Sequence, residues 1–235
     1  MLGLGDPKYR ASQVLEWIYS KMAGSYEQMT NLPAELKETL AKAAPIKPPN
    51  VMDVKRAKDG TTKLLIGFPD GANAETVLME HDYGLSLCVS SQAGCKMGCA
   101  FCASAMSGYS RDLTSGEMCW QFIEASRIAK DRRISSVVIM GMGEPLMNYD
   151  AVLQFIRVLN WGKGFNIGAR RITLSTCGIV PGIERLAGED LQITLSISLH
   201  APDDATRDRI MPVNKLYNVS EVVGAGKRYA DRTGR

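Results

Sequence analysis

Apolar residues recur three or four apart at Val14, Ile18 and Met22, and again at Leu36, Leu40 and Ala43. That spacing predicts helices with one buried face. Between them "TNLPAEL" offers Thr30 or Asn31 as a cap and places Pro33 at a helix start. A small helical unit is therefore predicted over residues 1–45. Three prolines in "AAPIKPPN" resist helix and mark a linker at 46–50. Residues 51–84 read as β-rich runs punctuated by Asp59-Gly60 and Asp70-Gly71, dipeptides that favour tight hairpin turns, and predict an antiparallel meander.

From residue 85 onward strands alternate with helices. "LTSGEMCWQFIEASRIAK" opens with Thr114 and Glu117 in capping-box spacing. "NYDAVLQFIRVLN" places Val152, Phe155, Ile156 and Leu159 on one helical face. Strands at Leu85–Ser90, Val137–Met140, Ile172–Leu174 and Ile193–Ile197, each followed by helical sequence, give four βα units in 85–235. They predict a parallel sheet with right-handed crossovers. The informative motifs sit at the strands' C-terminal ends, where α/β barrels and open α/β sheets gather their sites: the cysteine loop, "GMGEP", "STCG" and "SLHAP".

Composition changes this picture little. With 45% hydrophobic and 23% charged residues the chain is an ordinary globular one, and its net charge of +3 permits a nucleic-acid partner without arguing for it. No apolar run approaches the roughly 18 residues of a membrane span, and the N-terminus lacks a signal peptide's apolar core. A cytoplasmic protein with no membrane attachment is expected. In a reducing compartment clustered cysteines are more often ligands or catalytic thiols than disulfides.

"CVSSQAGCKMGCAFC" holds four of the chain's six cysteines. Cys95, Cys99 and Cys102 form C-x3-C-x2-C, a spacing that suits three irons of a 4Fe-4S cluster and leaves the fourth iron open. A structural zinc site would want a further Cys or His in the loop, and neither His81 nor His200 has that spacing. Cys88 stands apart: strand alternation sets it with Ser86 and Ser90, opposite Leu85, Leu87 and Val89. Cys119 and Cys177 read as packing residues, and basic residues such as Arg132, Arg133, Arg170 and Arg171 as solvated surface.

With Phe101 before the last cysteine, this motif resembles the radical S-adenosylmethionine superfamily. Together with "MGMGEPLMNYDAV", "RRITLSTCGIVPGI" and "ISLHAPDDATRDRIMPVN" it closely resembles the RlmN/Cfr family of RNA methyltransferases. The resemblance implies a partial (β/α)6 TIM-like barrel with a small N-terminal helical domain that helps grip RNA. It also implies a 4Fe-4S cluster on Cys95, Cys99 and Cys102, and S-adenosylmethionine held by Gly143, Glu144, Ser175, Ser198, Leu199 and His200, with Glu144 accepting from its ammonium or ribose.

The activity implied is methylation of adenine C2 in ribosomal and transfer RNA, through a methylated cysteine near the family's C-terminus and a radical step. Pro145 in "GMGEPLMN" favours this over the C8 chemistry of the sister group. Glu75 matches the proton acceptor, and Cys88 the cysteine that resolves the protein–RNA adduct by a disulfide bond. The partners implied are rRNA, tRNA and a reducing donor such as flavodoxin or ferredoxin, with the enzyme a monomer. Family members continue beyond "ADRTGR" to the methyl-carrying cysteine. The chain is thus expected to be an incomplete sequence, in which Cys119 and Cys177 do not replace that residue, and to bind RNA without completing methyl transfer alone.

Overall fold

The computed structural model describes residues 8–130 and 132–235; residues 1–7 of the expected N-terminal unit, and Asp131, lie outside the described residues. Two helices open the chain, α1 (Lys8–Tyr19) and α2 (Ala34–Ala43). They close on a small cluster of their own, built from Val14, Leu36 and Leu40 with Tyr26, Met29 and Leu32 from the connection. The cap differs from expectation. Pro33 itself is the N-cap residue of α2 and no side chain caps it, while Asn31 accepts from Trp17 Nε1 at 2.6 Å. A proline carries no N–H and its φ of −57° is already helical, so it starts the helix unaided.

A three-stranded meander follows: β1 (Asn50–Arg56), β2 (Thr62–Gly67) and β3 (Asn73–His81). Gly60 and Gly71 make its two turns at φ of 86° and 85°. β3 then pairs antiparallel with β4 (Gly84–Val89). The meander is therefore continuous with the sheet that follows it.

Next come a short hairpin around the cysteine loop and the βα units. The hairpin is β5 (Gln92–Gly94), α3 (Ala103–Met106) and β6 (Tyr109–Asp112); after it run α4 (Ser115–Ala129), β7 (Ile134–Ile139), α5 (Tyr149–Asn160), β8 (Ile172–Thr176), α6 (Val180–Ala187), β9 (Thr194–Ile197), α7 (Asp204–Ile210) and α8 (Val219–Thr233). The main sheet has the order β1-β2-β3-β4-β7-β8-β9. β4, β7, β8 and β9 are parallel, so the fold is α/β with four strands of a TIM-like barrel, carrying an antiparallel wing. α4 begins with the expected capping box: Glu117 N donates to Thr114 Oγ1 at 3.2 Å, and Thr114 N to Glu117 Oε2 at 2.8 Å.

The sheet's two faces have different characters. Leu64, Ile66, Leu78, Leu85, Leu87 and Val89 are buried with Phe122 and Ile123 of α4 and Phe155 and Ile156 of α5 in the main core. The opposite face is polar, and register fixes its members. Val77 pairs with Cys88, Cys88 with Val138, Val138 with Thr173, and Thr173 with Thr194. Side chains alternate along each strand, so Glu75, Cys88, Ser175 and Ser196 all lie on this second face. No helix among the described residues is long and apolar enough to cross a membrane.

Arg111 of β6 ties the wing to the cysteine hairpin. Its Nε and Nη2 donate to Asp70, beside the β2–β3 turn, at 2.5 and 2.9 Å, and its Nη1 and Nη2 to Glu117 of α4 at 2.9 and 2.7 Å. The guanidinium holds the Asp70 carboxyl down, from 3.8 to about 2. A carboxyl lowered in the folded state adds stability above its unfolded value and loses it as pH falls through the folded one. Arg111→Met is accordingly expected to remove a component of stability that the wild type loses between about pH 4 and pH 2. Thermal melts of both proteins across that range measure it; parallel acid profiles would refute the linkage.

Candidate cofactor site

The cysteine loop leaves β4 through Ser90, Ser91 and Gln92, all buried, and each is fixed to a different element. Ser90 exchanges two hydrogen bonds with Gln121 of α4, both 2.9 Å. Its hydroxyl donates to Glu75 O at 2.5 Å and accepts from Met142 N at 2.9 Å. Asn148 Nδ2 donates to Ser91 O and Leu113 O at 2.8 and 2.7 Å. Gln92 Oε1 accepts from Glu144 N at 2.9 Å while its Nε2 donates to Asp112 Oδ1 at 2.7 Å. The loop is thus held from the ends of three neighbouring segments before any ligand is considered.

Two glycines make this approach possible. At Gly94 an added Cβ would lie 1.8 Å from Gly108 O, so only glycine lets the two ends of the cysteine loop meet. At Gly143, φ is +101° and an added Cβ would lie 2.5 Å from Gln92 Cβ. "GMGE" is the place where the end of β7 presses onto the base of the cysteine loop.

Glu144 joins the strand ends. It is 3% exposed, with Oε1 accepting from Leu146 N (3.0 Å) and Thr176 Oγ1 (2.8 Å) and Oε2 from Cys177 N (2.7 Å). Burial pushes its carboxyl above the ordinary range, against the downward pull of those hydrogen bonds. Expected as a cofactor contact, Glu144 is in the structure first a joint between the ends of β7 and β8.

A cavity of about 130 Å³ lies above this joint. Cys95, Cys99 and Cys102 line it together with Gly143, Glu144, Ser175, Ser198 and His200. Ser175 and Ser198 hydroxyls are 3.3 Å apart. His200 takes a left-handed φ of +59° and its exposed ring stands 4.6 Å from that of Phe101 on the rim. Of the other expected residues, Leu199 does not line the cavity. Cys88 and Glu75 also lie outside it, although they share the polar sheet face with Ser175. Glu75 is paired with Lys63 at 2.8 Å, both half-exposed. Sequence reasoning missed Met140, Thr176, Cys177 and Met211 as lining residues. Strand-end position was a usable signal for Thr176 and Cys177; nothing local marks Met211.

All six cysteines are free thiols, so the disulfide expected for Cys88 has no counterpart among the described residues. Burial pushes the Cys88 thiol up, and the Cys95 and Cys99 thiols likewise; nearby backbone N–H groups of Met97 and Gly143 draw the Cys95 value partly back. No three ligating side chains among the described residues are gathered as tightly as a single metal ion requires. Three sulfurs around one cavity, free of side-chain partners, instead suit a cluster whose irons each take one thiolate. The donor set fits the group that the motif implies.

Comparison with known proteins bears on the same residues. The family model described as "Radical SAM superfamily" matches residues 89–231, and that described as "Ribosomal RNA large subunit methyltransferase N-terminal domain" matches residues 1–46. A probable dual-specificity RNA methyltransferase RlmN of Pelotomaculum thermopropionicum is 51% identical over 236 residues, covering 100% of this chain and 64% of that protein. One of the same description from Bacillus cytotoxicus is 46% identical over 233 residues, covering 98% and 64%. The chain therefore spans 64% of the length of these relatives. The crystal structure of a radical SAM methyltransferase from Sphaerobacter thermophilus superposes with a TM-score of 0.94 at 44% identity, over 100% of this chain and 70% of that one.

The close approach at Gly143 can be separated from its backbone strain. Gly71 has a similar φ, +85°, with nothing within 4 Å of an added Cβ. Gly71→Ala is expected to cost about 1–2 kcal/mol, the strain alone, and Gly143→Ala a further 1 kcal/mol or so, because Gln92 must move off Glu144 N. Urea unfolding of the two variants gives the comparison. Equal losses would mean that the contact is loose.

Proposed function

The chain belongs to the radical S-adenosylmethionine superfamily, in its RlmN-type branch, and on that footing we propose that it carries the cofactor site of an enzyme methylating adenine C2 in ribosomal and transfer RNA. The observation that supports this most directly is the single cavity shared by Cys95, Cys99, Cys102 and the strand-end residues Gly143, Glu144, Ser175, Ser198 and His200. The names of the relatives, dual-specificity RNA methyltransferases, support the substrate class.

Adenine C2 bears no acidic hydrogen and is not nucleophilic, so polar methyl transfer has no handle there. When bound, the cluster and S-adenosylmethionine supply radical chemistry that needs no such handle. The chain's own residues do the positioning. Cys95, Cys99 and Cys102 would hold the cluster by one thiolate each, a set of three that would leave it able to bind S-adenosylmethionine. The backbone at Gly143 allows close approach, Ser175 and Ser198 offer hydroxyls to the ribose, and His200 stands at the cavity rim beside Phe101. Phe101, 52% exposed on that mouth, adds a ring face where an unstacked base would enter.

Glu75 and Cys88 lie one step away on the same sheet face, and their separation from the cofactor cavity suits residues that meet the RNA base instead. Burial raises the Cys88 thiol above its ordinary value; Cys88 is proposed as the resolving thiol, and Glu75, two strand positions from the Val77–Cys88 pair, as the proton acceptor. The N-terminal helices and their basic residues are proposed to hold phosphates, in a manner weakened by salt. An electron donor of the flavodoxin or ferredoxin kind, and a monomeric, cytoplasmic enzyme, complete the reading.

Anaerobic reconstitution with iron and sulfide tests it. The wild-type chain is expected to take up about four irons and four sulfides and turn brown, with an electron paramagnetic resonance signal that changes on adding S-adenosylmethionine. Cys99→Ala is expected to lose most of the iron. A colourless chain that binds zinc instead, or a cluster indifferent to S-adenosylmethionine, would refute the assignment. Chromatography of the modified nucleoside against 2-methyl- and 8-methyladenosine standards separates C2 from C8 chemistry.

A further inference from the structure

Arg207 of α7 is fully buried beneath the cofactor cavity. Its hydrogen bonds all go to neutral acceptors. Nε donates to Leu199 O at 3.1 Å, Nη1 to Asn214 Oδ1 at 2.8 Å and Tyr217 O at 3.1 Å, and Nη2 to Cys177 O at 2.5 Å. Among the described residues it forms no salt bridge, whereas the other ion pairs of the chain are at least partly exposed. A guanidinium stays charged in protein interiors, and a buried charge without a counter-charge is strongly unfavourable.

The nearby anions are unevenly placed. Asp204 and Asp208, on the same helix, are exposed and each already accepts from Asn214 Nδ2, at 3.1 and 2.8 Å. On the other side its Nη2 is anchored on Cys177 O, and Cys177 lines the cavity together with Cys99. The carbonyls of Cys177 and Leu199 thus fix the positive charge at the ends of β8 and β9, beside the cavity that the cysteines line.

We infer that Arg207 is a positioning residue whose buried charge sets the reduction potential of the cluster held by Cys95, Cys99 and Cys102, an inference that rests on the cluster reading above. Three thiolates and a cluster bring net negative charge into a low-dielectric pocket, and one-electron reduction adds one more negative charge. A fixed cation beside it stabilises the reduced form more than the oxidised form. The buried guanidinium would thus serve as a counter-charge to the cluster.

The test is a redox titration of the reconstituted cluster, followed by electron paramagnetic resonance, in wild type, Arg207→Lys and Arg207→Gln. Lys keeps the charge and loses the fork of donors; Gln keeps donors and loses the charge. Arg207→Gln is expected to shift the reduced-to-oxidised ratio about tenfold toward oxidised, a potential about 59 mV lower, with Arg207→Lys within about threefold of wild type, less than half of that shift. Potentials that fall equally in both variants, or in neither, overturn the inference. Should Gln prevent folding, Arg207→Met removes the charge with an apolar side chain of similar length. If both neutral variants lose the cluster while Lys retains it, the charge requirement stands; if Lys fails alongside them, Arg207 is structural only and the inference is wrong. A wild-type chain that holds no cluster removes the underlying reading, and this inference with it.

Discussion

The arrangement depends on one buried carboxylate. Glu144 sits where β7 ends, and its two oxygens collect donors from its own turn, from Thr176 and from Cys177, while its backbone N–H reaches Gln92 at the base of the cysteine loop. A carboxylate removed from water is tolerated only when its lone pairs are met, and here meeting them requires β7, β8 and the cysteine loop to converge. The cavity floor is a consequence of that requirement. Any loosening of the joint would shift the cysteine loop against Ser175, because the two belong to different elements that Glu144 connects.

Around this joint the sheet sorts its residues by register. The leucines and isoleucines of β2, β3 and β4 turn to the helices α4 and α5 and form the core, leaving Glu75, Cys88, Ser175 and Ser196 on the other face. A one-residue slip would reverse every one of them. Continuity of the antiparallel wing with the parallel strands means that this face extends from the cofactor cavity to Glu75 without interruption. Arg111 locks the β2–β3 turn of the wing to the hairpin that carries the cysteines. The cation Arg207 plays a matching part below, holding the ends of β8 and β9 by their carbonyls.

Much of this was legible along the chain. Apolar periodicity marked α1, α2 and α5, the Asp-Gly pairs marked both turns of the wing, and the capping box at Thr114 marked the start of α4. These are local signals, set by backbone dihedrals and by neighbours three or four residues away, and they survive without tertiary context. The short elements were not legible. The β5–β6 hairpin and α3 have too few residues to show a period, and α7, capped by Asp203, has only seven.

The sequence by itself marked the three clustered cysteines and the glycine-rich strand ends, since C-x3-C-x2-C spacing and turn glycines are local signals. Only the tertiary structure decided which of the flagged residues share a cavity. It joined His200 to Phe101 and brought Cys177 to the cysteines, kept Cys88 and Glu75 apart from them, and turned Glu144 inward as a joint. It also showed Arg207 buried without a carboxylate, which no spacing rule reveals. The reason is physical: burial and charge balance depend on everything packed around a group, and the groups around Arg207 come from separate segments, at Cys177, Leu199 and Tyr217.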